Sequence, residues 1–296
     1  MAKRIKMVFD METGDPDDAM ALCILATHPR VDLRAITVFP GGHDQVGLAK
    51  HVLALLGRPD VLVGAGTPKK EAPRVAGFYR DWLGGFGPCI PDGTAVEVIH
   101  GALDGGATHL VTGAALTNVH EALQARGAKP FFQNWTCQGG FAGDNVVPPE
   151  FRLPKFEGRI TCPTFNLNGD VPAAKALIST EAIPTKRFVT KNVCHGIIYD
   201  QSVQLPDGAH PGLDLLKLGM LTYFQKHPNG KALHDVIAVA LAINPSAATW
   251  VRGFPYREKG EWGTRPDTDF TFVGEPGPYP VTIALDVEKF YQTLEG

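Results

Sequence analysis

The densest group of chemically capable side chains lies between residues 10 and 18, where the chain reads Asp-Met-Glu-Thr-Gly-Asp-Pro-Asp-Asp. Five carboxylates fall within these nine residues, directly after an apolar run that predicts a strand over residues 5–9. Like charges at this density repel one another and destabilise the fold unless a cation neutralises them. Carboxylate oxygens are ligands for hard cations such as Ca²⁺ and Mg²⁺. The segment therefore predicts a metal or ligand site.

Helix capping is the alternative explanation for the same residues. Asp15 is suited to be an N-cap and Pro16 to be the first residue of a helix, while acids in the first turn complement the helix dipole. Capping accounts for Asp15, Asp17 and Asp18 but leaves Asp10 and Glu12 unexplained. Both interpretations stay open from the sequence.

A second candidate element is the dipeptide His234-Asp235 at the start of an apolar segment that predicts a helix over residues 233–243. A carboxylate is stabilised at a helix start by the dipole and could complete a metal site. An imidazole can deliver a proton near neutral pH. A capped surface histidine is the alternative, and the dipeptide alone does not decide between them.

Composition limits the function classes. The chain has 296 residues, a formal net charge of −3, and 44% hydrophobic against 20% charged residues. This balance is typical of a globular enzyme or binding protein and argues against a broad nucleic-acid-binding surface. No run approaches the roughly 20 apolar residues of a membrane helix. Five cysteines without a CxxC pair indicate free thiols, and the short basic N-terminus does not fit a signal peptide, so we expect a cytoplasmic protein.

Short apolar runs alternate with helical patterns along the chain, as in repeated βαβ units. We therefore expect an α/β fold, with an open, mixed, mostly parallel sheet and a Rossmann-like core flanked by helices. No composition break divides the chain, which predicts a single domain over residues 1–296. In such sheets ligands bind at the carboxyl ends of the strands, where the acidic segment lies.

The ordered set of motifs resembles the inosine-uridine-preferring nucleoside N-ribohydrolase family. Residues 10–19 resemble its acidic fingerprint, and residues 110–118 (LVTGAALTN) resemble its strand ending in GPLTN. Gly139-Gly140 with Gly143-Asp144-Asn145, Phe165-Asn166, His234-Asp235 and Gly263-Thr264-Arg265 follow in the family's order. The resemblance covers nearly the whole chain.

This resemblance implies a role for each matching residue. Asp10 would ligate Ca²⁺ and act as general base on a water held by the metal, and Asp18, the backbone carbonyl of Thr117 and Asp235 would be further ligands. Asp17 would bind a ribose hydroxyl, and Asn145 and Asn166 would hold the sugar. His234 would protonate the departing base. It also implies a small nucleoside-like substrate and assembly as a homodimer or homotetramer.

Three departures from the family pattern affect these assignments. The acidic segment carries one extra residue, which could make Asp15 a ligand and Asp18 a cap, and Glu12 replaces the usual second Asp. Thr164 stands where the family has a Glu that binds the 5′-hydroxyl, a change that could admit a 5′-phosphate or a different sugar. His43 follows a Gly-Gly pair where the family has Gly-Asn. We predict that Glu12, Thr164 and His43 contact the substrate.

The sequence thus predicts Ca²⁺-dependent hydrolysis of the N-glycosidic bond of a ribonucleoside or related ribosyl compound. The alternatives are a Ca²⁺-dependent nucleoside-binding protein without catalysis, a hydrolase for a 5′-modified nucleoside or nucleotide, and a Mg²⁺-dependent phosphoryl-transfer enzyme. A thiol nucleophile at Cys194-His195 is disfavoured, because adjacent residues on a strand would point to opposite faces.

Overall fold

The structure is a computed structural model that describes residues 4–68, 75–268 and 276–296. The segment Lys69-Lys70-Glu71, for which the sequence predicts a solvated turn, lies outside these ranges. The strands are β1 (Ile5–Met11), β2 (Val31–Val38), β3 (Leu62–Ala65), β4 (Gly93–Thr94), β5 (His109–Thr112), β6 (Asn134–Gln138), β7 (Thr161–Cys162), β8 (Thr185–Val189), β9 (Ile198–Tyr199), β10 (Lys231–Ala232), β11 (Ala248–Glu258), β12 (Glu261–Pro266) and β13 (Tyr279–Leu285).

The helices are α1 (Pro16–Thr27), α2 (His43–Leu55), α3 (Phe78–Leu83), α4 (Ala95–Asp104), α5 (Thr117–Arg126), α6 (Phe165–Gly169), α7 (Val171–Ser179), α8 (Lys191–Gly196), α9 (Pro211–Phe224), α10 (His234–Ile243) and α11 (Val287–Glu295). No helix in the described ranges combines the length and apolarity needed to cross a membrane.

One large sheet organises the described residues. Its 11 strands run in the order β4-β3-β2-β1-β5-β6-β8-β13-β11-β12-β7. Pairing is parallel from β4 through β13 and antiparallel among β13, β11, β12 and β7. The expected α/β class, with an open, mixed and mostly parallel sheet, is confirmed.

The strand order reverses direction at β1. From β1 the chain continues to β2, β3 and β4 on one side, and then returns to place β5 on the other side of β1. Open parallel sheets form a crevice at the carboxyl ends of the strands at such a switch point. Asp10 near the end of β1 and Gly113 just after β5 meet there, since the Gly113 N–H donates to the Asp10 carbonyl at 2.8 Å.

The first and tenth helices pack inside the molecule. Residues from Asp17 to Ala26 of α1 and from Asp235 to Ile243 of α10 are all buried. Both helices are apolar on every side beyond their first residues, which is the pattern of a helix covered all round. The polar first residues of each helix are thereby carried to the crevice at the end of β1.

The part of the sheet beyond β6 was predicted only in one place. The apolar run at residues 282–285 predicts a late strand, which is observed as β13 and extends back to Tyr279, whereas β8, β11 and β12 carry no strand prediction. β11 and β12 pair antiparallel near the edge and keep mixed, half-exposed side chains. Strands of this kind lack the continuous apolar run that identifies a buried parallel strand.

Candidate active site

A pocket of about 450 Å³ opens at the carboxyl ends of β1, β5 and β6. Its acidic lining residues are Glu12, Asp15, Asp17, Asp18 and Asp235. A second group consists of His234, His195 and Lys191, and the remaining polar lining comes from Thr164, Asn166 and Gln138. The acidic segment and the His-Asp dipeptide therefore share one cavity, although Asp18 and His234 are 216 residues apart in sequence.

The start of α1 shows why the acidic segment folds as it does. Asp15 is the N-cap, and its Oδ1 accepts from the Asp17 N–H at 3.2 Å. Asp18 completes a capping box, because its Oδ2 accepts from the Asp15 N–H at 3.0 Å. Capping is thus confirmed, and the same three carboxylates also line the pocket. The two interpretations of this segment are not exclusive.

Asp17 and Asp235 join the two buried helices. Oδ2 of Asp17 accepts from the Asp235 N–H at 2.7 Å. Burial raises the pKa of Asp235 to about 7 and, with the charges of neighbouring carboxylates, raises the pKa of both Asp17 and Asp18 well above the usual range. A cation among these groups would favour their ionised forms.

A buried lysine supplies one positive charge to this wall. The Lys231 ammonium contacts the Asp15 carboxylate and lies 3.5 Å from Oδ1 of Asp17. Its side chain is only 7% exposed. Burial lowers the pKa of Lys231, but the charges of Asp17 and Asp15 outweigh it and the pKa is raised. Sequence analysis missed Lys231; its position three residues before His234 is the only sequence signal.

Asp10 and Glu12 occupy different environments. Asp10 is fully buried, with Oδ1 accepting from Thr37 Oγ1 at 2.6 Å and from Asn118 Nδ2 at 2.9 Å. Burial raises the pKa of Asp10 to about 7, although these two hydrogen bonds oppose the rise. Glu12 is half-buried and lines the pocket. Asp10 lies behind the wall that Glu12 faces.

The pocket also has a basic wall, formed by Lys191, His195 and His234, with Lys155 in contact with His195. The His195 and His234 rings meet edge to face with centroids 5.0 Å apart. Lys191 Nζ donates to the Pro163 carbonyl at 3.0 Å, and Lys155 Nζ lies 3.1 Å from His195 Nδ1. Burial and the nearby lysines lower the pKa of both imidazoles to about 4, with the His195 pKa also lowered by His234. Both imidazoles are therefore neutral at pH 7.

Cys194 and His195 lie on the helix α8, so the strand expected for them is wrong. Cys194 is fully buried, and burial raises its pKa to about 12. A thiol of this kind stays protonated and is not a nucleophile. His195, in contrast, lines the pocket, a role the sequence did not indicate.

Four of the six residues predicted to bind the substrate line the pocket: Glu12, Asp17, Thr164 and Asn166. Asn166 donates to the Gln138 side chain at 2.7 Å, which fixes its orientation. Thr164 is 3% exposed, and its Oγ1 has no hydrogen-bond partner among the described residues. Phe165 is 73% exposed at the same pocket, where its ring is available for stacking.

Besides Asp10, three predicted site residues do not line this pocket. Asn145 Nδ2 donates to the Thr264 carbonyl at 2.7 Å, which holds it in a loop contact. His43 is exposed at the first position of α2. Thr117 opens α5, where its Oγ1 donates to Asp170 Oδ2 at 2.8 Å.

The carboxylates fit a hard cation by their chemistry. Asp10 Oδ2 and Asp235 Oδ2 are buried without a hydrogen-bond partner in the described ranges, an arrangement that is costly unless another group meets them. In those same ranges no group of three or more His, Cys, Asp or Glu side chains already converges on a common metal position. A cation would therefore have to draw these oxygens together.

Known proteins share this architecture. A family model described as inosine-uridine preferring nucleoside hydrolase matches residues 7–292. A plant nucleoside hydrolase superimposes with a TM-score of 0.68 at 20% identity, covering 98% of each chain. A purine-preferring ribonucleoside hydrolase from Gardnerella vaginalis gives 0.65 at 20% identity, again with 98% of each chain covered. For an inosine-guanosine nucleoside hydrolase the TM-score is 0.72 at 18% identity, covering 99% of this chain and 98% of the other.

No curated protein matches the chain. At these identities the solved structures establish the fold, whereas the family model spans nearly the whole sequence. The chain therefore belongs to the inosine-uridine-preferring nucleoside hydrolase family and is a hydrolase that acts on N-glycosyl compounds.

Proposed function

We propose that this protein hydrolyses the N-glycosidic bond of a ribonucleoside, or of a related ribosyl compound, with Ca²⁺ as its cofactor. The observation that carries the proposal is the pairing, in one pocket, of the buried carboxylates Asp17, Asp18 and Asp235 with the imidazole of His234. Breaking an N-glycosidic bond builds positive charge on the sugar and negative charge on the base. Carboxylates stabilise the first charge, and a proton donor relieves the second.

Ca²⁺ would be held by Asp18 and Asp235, with Asp10 Oδ2 as a third carboxylate donor. Support comes from the two buried oxygens without partners, on Asp10 and Asp235. When bound, the ion supplies a position for sugar hydroxyls and lowers the pKa of a coordinated water. Asp15 is paired with Lys231 and caps α1, so we assign it to the wall rather than to the metal.

The attacking water is assigned to Glu12 rather than to Asp10. Glu12 faces the pocket, whereas Asp10 has no exposed surface and its Oδ1 already holds Thr37 and Asn118. The oxygen of water bonds to the anomeric carbon, its proton passes to Glu12, and the bond from the sugar to the base breaks. Asp10 then contributes through Oδ2 as a donor to the ion, while its Oδ1 connects β1 to β2 and α5.

The leaving base is assigned to the wall formed by His234 and Phe165. The neutral imidazole of His234 donates an N–H hydrogen bond to the departing nitrogen. The base leaves with the electron pair of the broken bond and takes up a proton from solvent, which balances the proton that the water gives to Glu12. The exposed ring of Phe165 offers a stacking surface for a nucleobase. Asp17, Asn166 and Thr164 are assigned to the sugar, because all three line the same pocket.

Product analysis tests this proposal. Purine and pyrimidine ribosides are incubated with the purified protein in Ca²⁺ or after chelation, and free base and free ribose are measured. We expect equal amounts of base and ribose in Ca²⁺, and little of either after chelation. Asp235→Asn keeps the backbone bond to Asp17 and is expected to lose roughly 10²-fold or more in rate.

Release of no base from any ribosyl compound would overturn the hydrolysis. Equal rates before and after chelation would overturn the Ca²⁺ requirement while leaving the hydrolysis in place.

A further inference from the structure

The pocket is lined by groups of both charges. Its lining includes five carboxylates and also Lys191 and His195, which belong to the basic wall. The carboxylates have a clear use in the proposed hydrolysis, since they stabilise positive charge on the sugar. A neutral nucleoside carries no negative charge that could pair with the ammonium group of Lys191 in the basic wall.

The basic wall has no acidic partner within residues 4–68, 75–268 and 276–296. In the described part of the chain, Lys191 Nζ bonds a backbone carbonyl, that of Pro163, and Lys155 Nζ meets the ring nitrogen of His195. Neither ammonium forms an ion pair there, in contrast to Lys231, which contacts Asp15. Both ammonium groups disfavour a positive charge on His195, and neither has an acidic partner in the described residues, so an anion is the ligand that this wall would favour.

Hydrogen-bond donors accompany the charges. Because Lys155 donates to Nδ1 of His195, the other ring nitrogen of the neutral imidazole carries the hydrogen and is a donor. Thr164 follows the Pro163 carbonyl that Lys191 contacts, and its buried Oγ1 has no partner among the described residues. Lys191, His195 and Thr164 thus offer an ammonium, an N–H and a hydroxyl to one pocket.

We propose that the preferred substrate carries a phosphate on its ribose, as in a nucleoside 5′-monophosphate, and that Lys191, His195 and Thr164 bind this phosphate. A phosphate carries a charge of about −1.5 to −2 and three strong acceptor oxygens, which match the three donors. The cavity of about 450 Å³ lies within the usual size range of small-ligand sites. This inference rests on the proposed function, because it names the substrate class of the same pocket.

Binding separates the proposal from catalysis. Ribose 5-phosphate and ribose are titrated into the Ca²⁺-loaded protein by calorimetry, with Lys191→Met, Lys191→Arg and Thr164→Val as variants. We expect ribose 5-phosphate to bind about tenfold or more tightly than ribose. Lys191→Met should remove that preference, Lys191→Arg should restore most of it, and Thr164→Val should reduce it. Lys175→Met, at an exposed position on α7, is the matched control and should leave it unchanged.

Turnover supplies the second readout. We expect kcat/KM to be higher for adenosine 5′-monophosphate or uridine 5′-monophosphate than for the parent nucleosides, with the difference lost in Lys191→Met. Equal binding of ribose and ribose 5-phosphate, with nucleosides still cleaved, overturns this inference and leaves the proposed function standing. Lysine-dependent phosphate binding without cleavage supports the inference while overturning the proposed function.

An acidic nucleobase is the other source of negative charge. A ribonucleoside with a carboxylated base is therefore compared with the monophosphates in the same assay. If Lys191→Met weakens only the nucleoside with the acidic base, the phosphate assignment is overturned.

Discussion

The ammonium group of Lys231 lies 3.5 Å from the carboxylate of Asp17, inside the wall that the acidic segment forms. The chain therefore carries its own cation into the group of charges that a metal ion is proposed to neutralise. This arrangement leads to the first prediction.

Lys231→Met is expected to lower the free energy of unfolding by about 2 kcal/mol, because it leaves Asp15 and Asp17 without their buried partner. Ca²⁺ should restore part of this loss, so the rise in melting temperature on adding Ca²⁺ should be larger in the variant than in the wild type. Thermal unfolding with and without Ca²⁺ measures both effects. Lys226→Met is the control, since Lys226 forms an exposed pair with Asp81. A variant that melts like the wild type, and that Ca²⁺ does not stabilise further, would contradict the prediction.

Glu12→Gln is expected to lower kcat by about 10²- to 10⁴-fold, because the amide cannot take the water proton. The melting temperature should change little, since Glu12 is only half-buried. Asp10→Asn, measured at saturating Ca²⁺ because Asp10 is also a proposed ligand of the ion, is the comparison. Its retained oxygen can still accept from Thr37 and Asn118, so its loss in kcat should be smaller. Steady-state kinetics of both variants decide the matter. A larger loss for Asp10→Asn would return the base to Asp10, as the family resemblance implies.

Gly113→Ala is expected to abolish most activity without unfolding the protein. An added Cβ would lie 2.2 Å from Asp235 Oδ2, so the carboxylate must move. We expect a fall in kcat of roughly 10²-fold, as for other displacements of a reacting group. Gly101→Ala, in α4 with nothing within 4 Å of the new Cβ, should keep full activity and gain about 0.5 to 1 kcal/mol of stability. Activity and circular dichroism of the two variants provide the test, and unchanged activity in Gly113→Ala would refute it.

His28 is expected to make stability depend on pH. Its Nδ1 accepts from the Arg30 N–H at 3.1 Å and its Nε2 donates to the Thr293 carbonyl at 2.8 Å, a pattern that requires the neutral ring. Burial is the main reason that its pKa is lowered to about 4. Below about pH 6.5 the unfolded chain takes up a proton that the folded chain refuses, so this contribution is lost as the pH falls towards 4.

The loss that His28 causes should reach about 2 to 3 kcal/mol near pH 4. Urea unfolding of wild type and His28→Gln at pH 7, 6 and 5 isolates the contribution of His28 to the free energy of unfolding. The buried carboxylates titrate in both proteins, so their effect cancels in the difference. The stability advantage of the wild type should shrink steadily as the pH falls, whereas His227→Gln, at an exposed position, should leave the dependence unchanged. A constant difference between wild type and His28→Gln across this range would contradict the assignment.

The central part of the fold was accessible from the sequence for a local reason. β1, β2 and β5 are buried on both faces, and such strands are read as short apolar runs. Pro16, which is suited to be the first residue of a helix, is the first residue of α1, and the helix predicted from residue 233 begins at His234. β11 and β12 carry no such mark, because their pairing near the sheet edge depends on partners distant in the chain.

The candidate site divides in the same way. Residue type and order alone indicated that the segment from Asp10 to Asp18 and the pair His234-Asp235 belong to the chemistry, and the spacing around Pro16 indicated the cap. Only the tertiary structure decided that Glu12 faces the pocket while Asp10 lies behind it, and that Asn145 and His43 lie elsewhere. Strand alternation could not separate Asp10 from Glu12, since residues two apart share a face.

The sequence by itself determined the fold class, the family and the acidic start of α1, because each is written in neighbouring residues. Only the tertiary structure decided which groups meet the buried carboxylates of the pocket. Asp17 meets the backbone of Asp235 across 218 positions of sequence, and Lys231 reaches the same wall from the strand just before α10. Electrostatic energy depends on distance and on exclusion of water, which folding sets and a linear sequence does not contain.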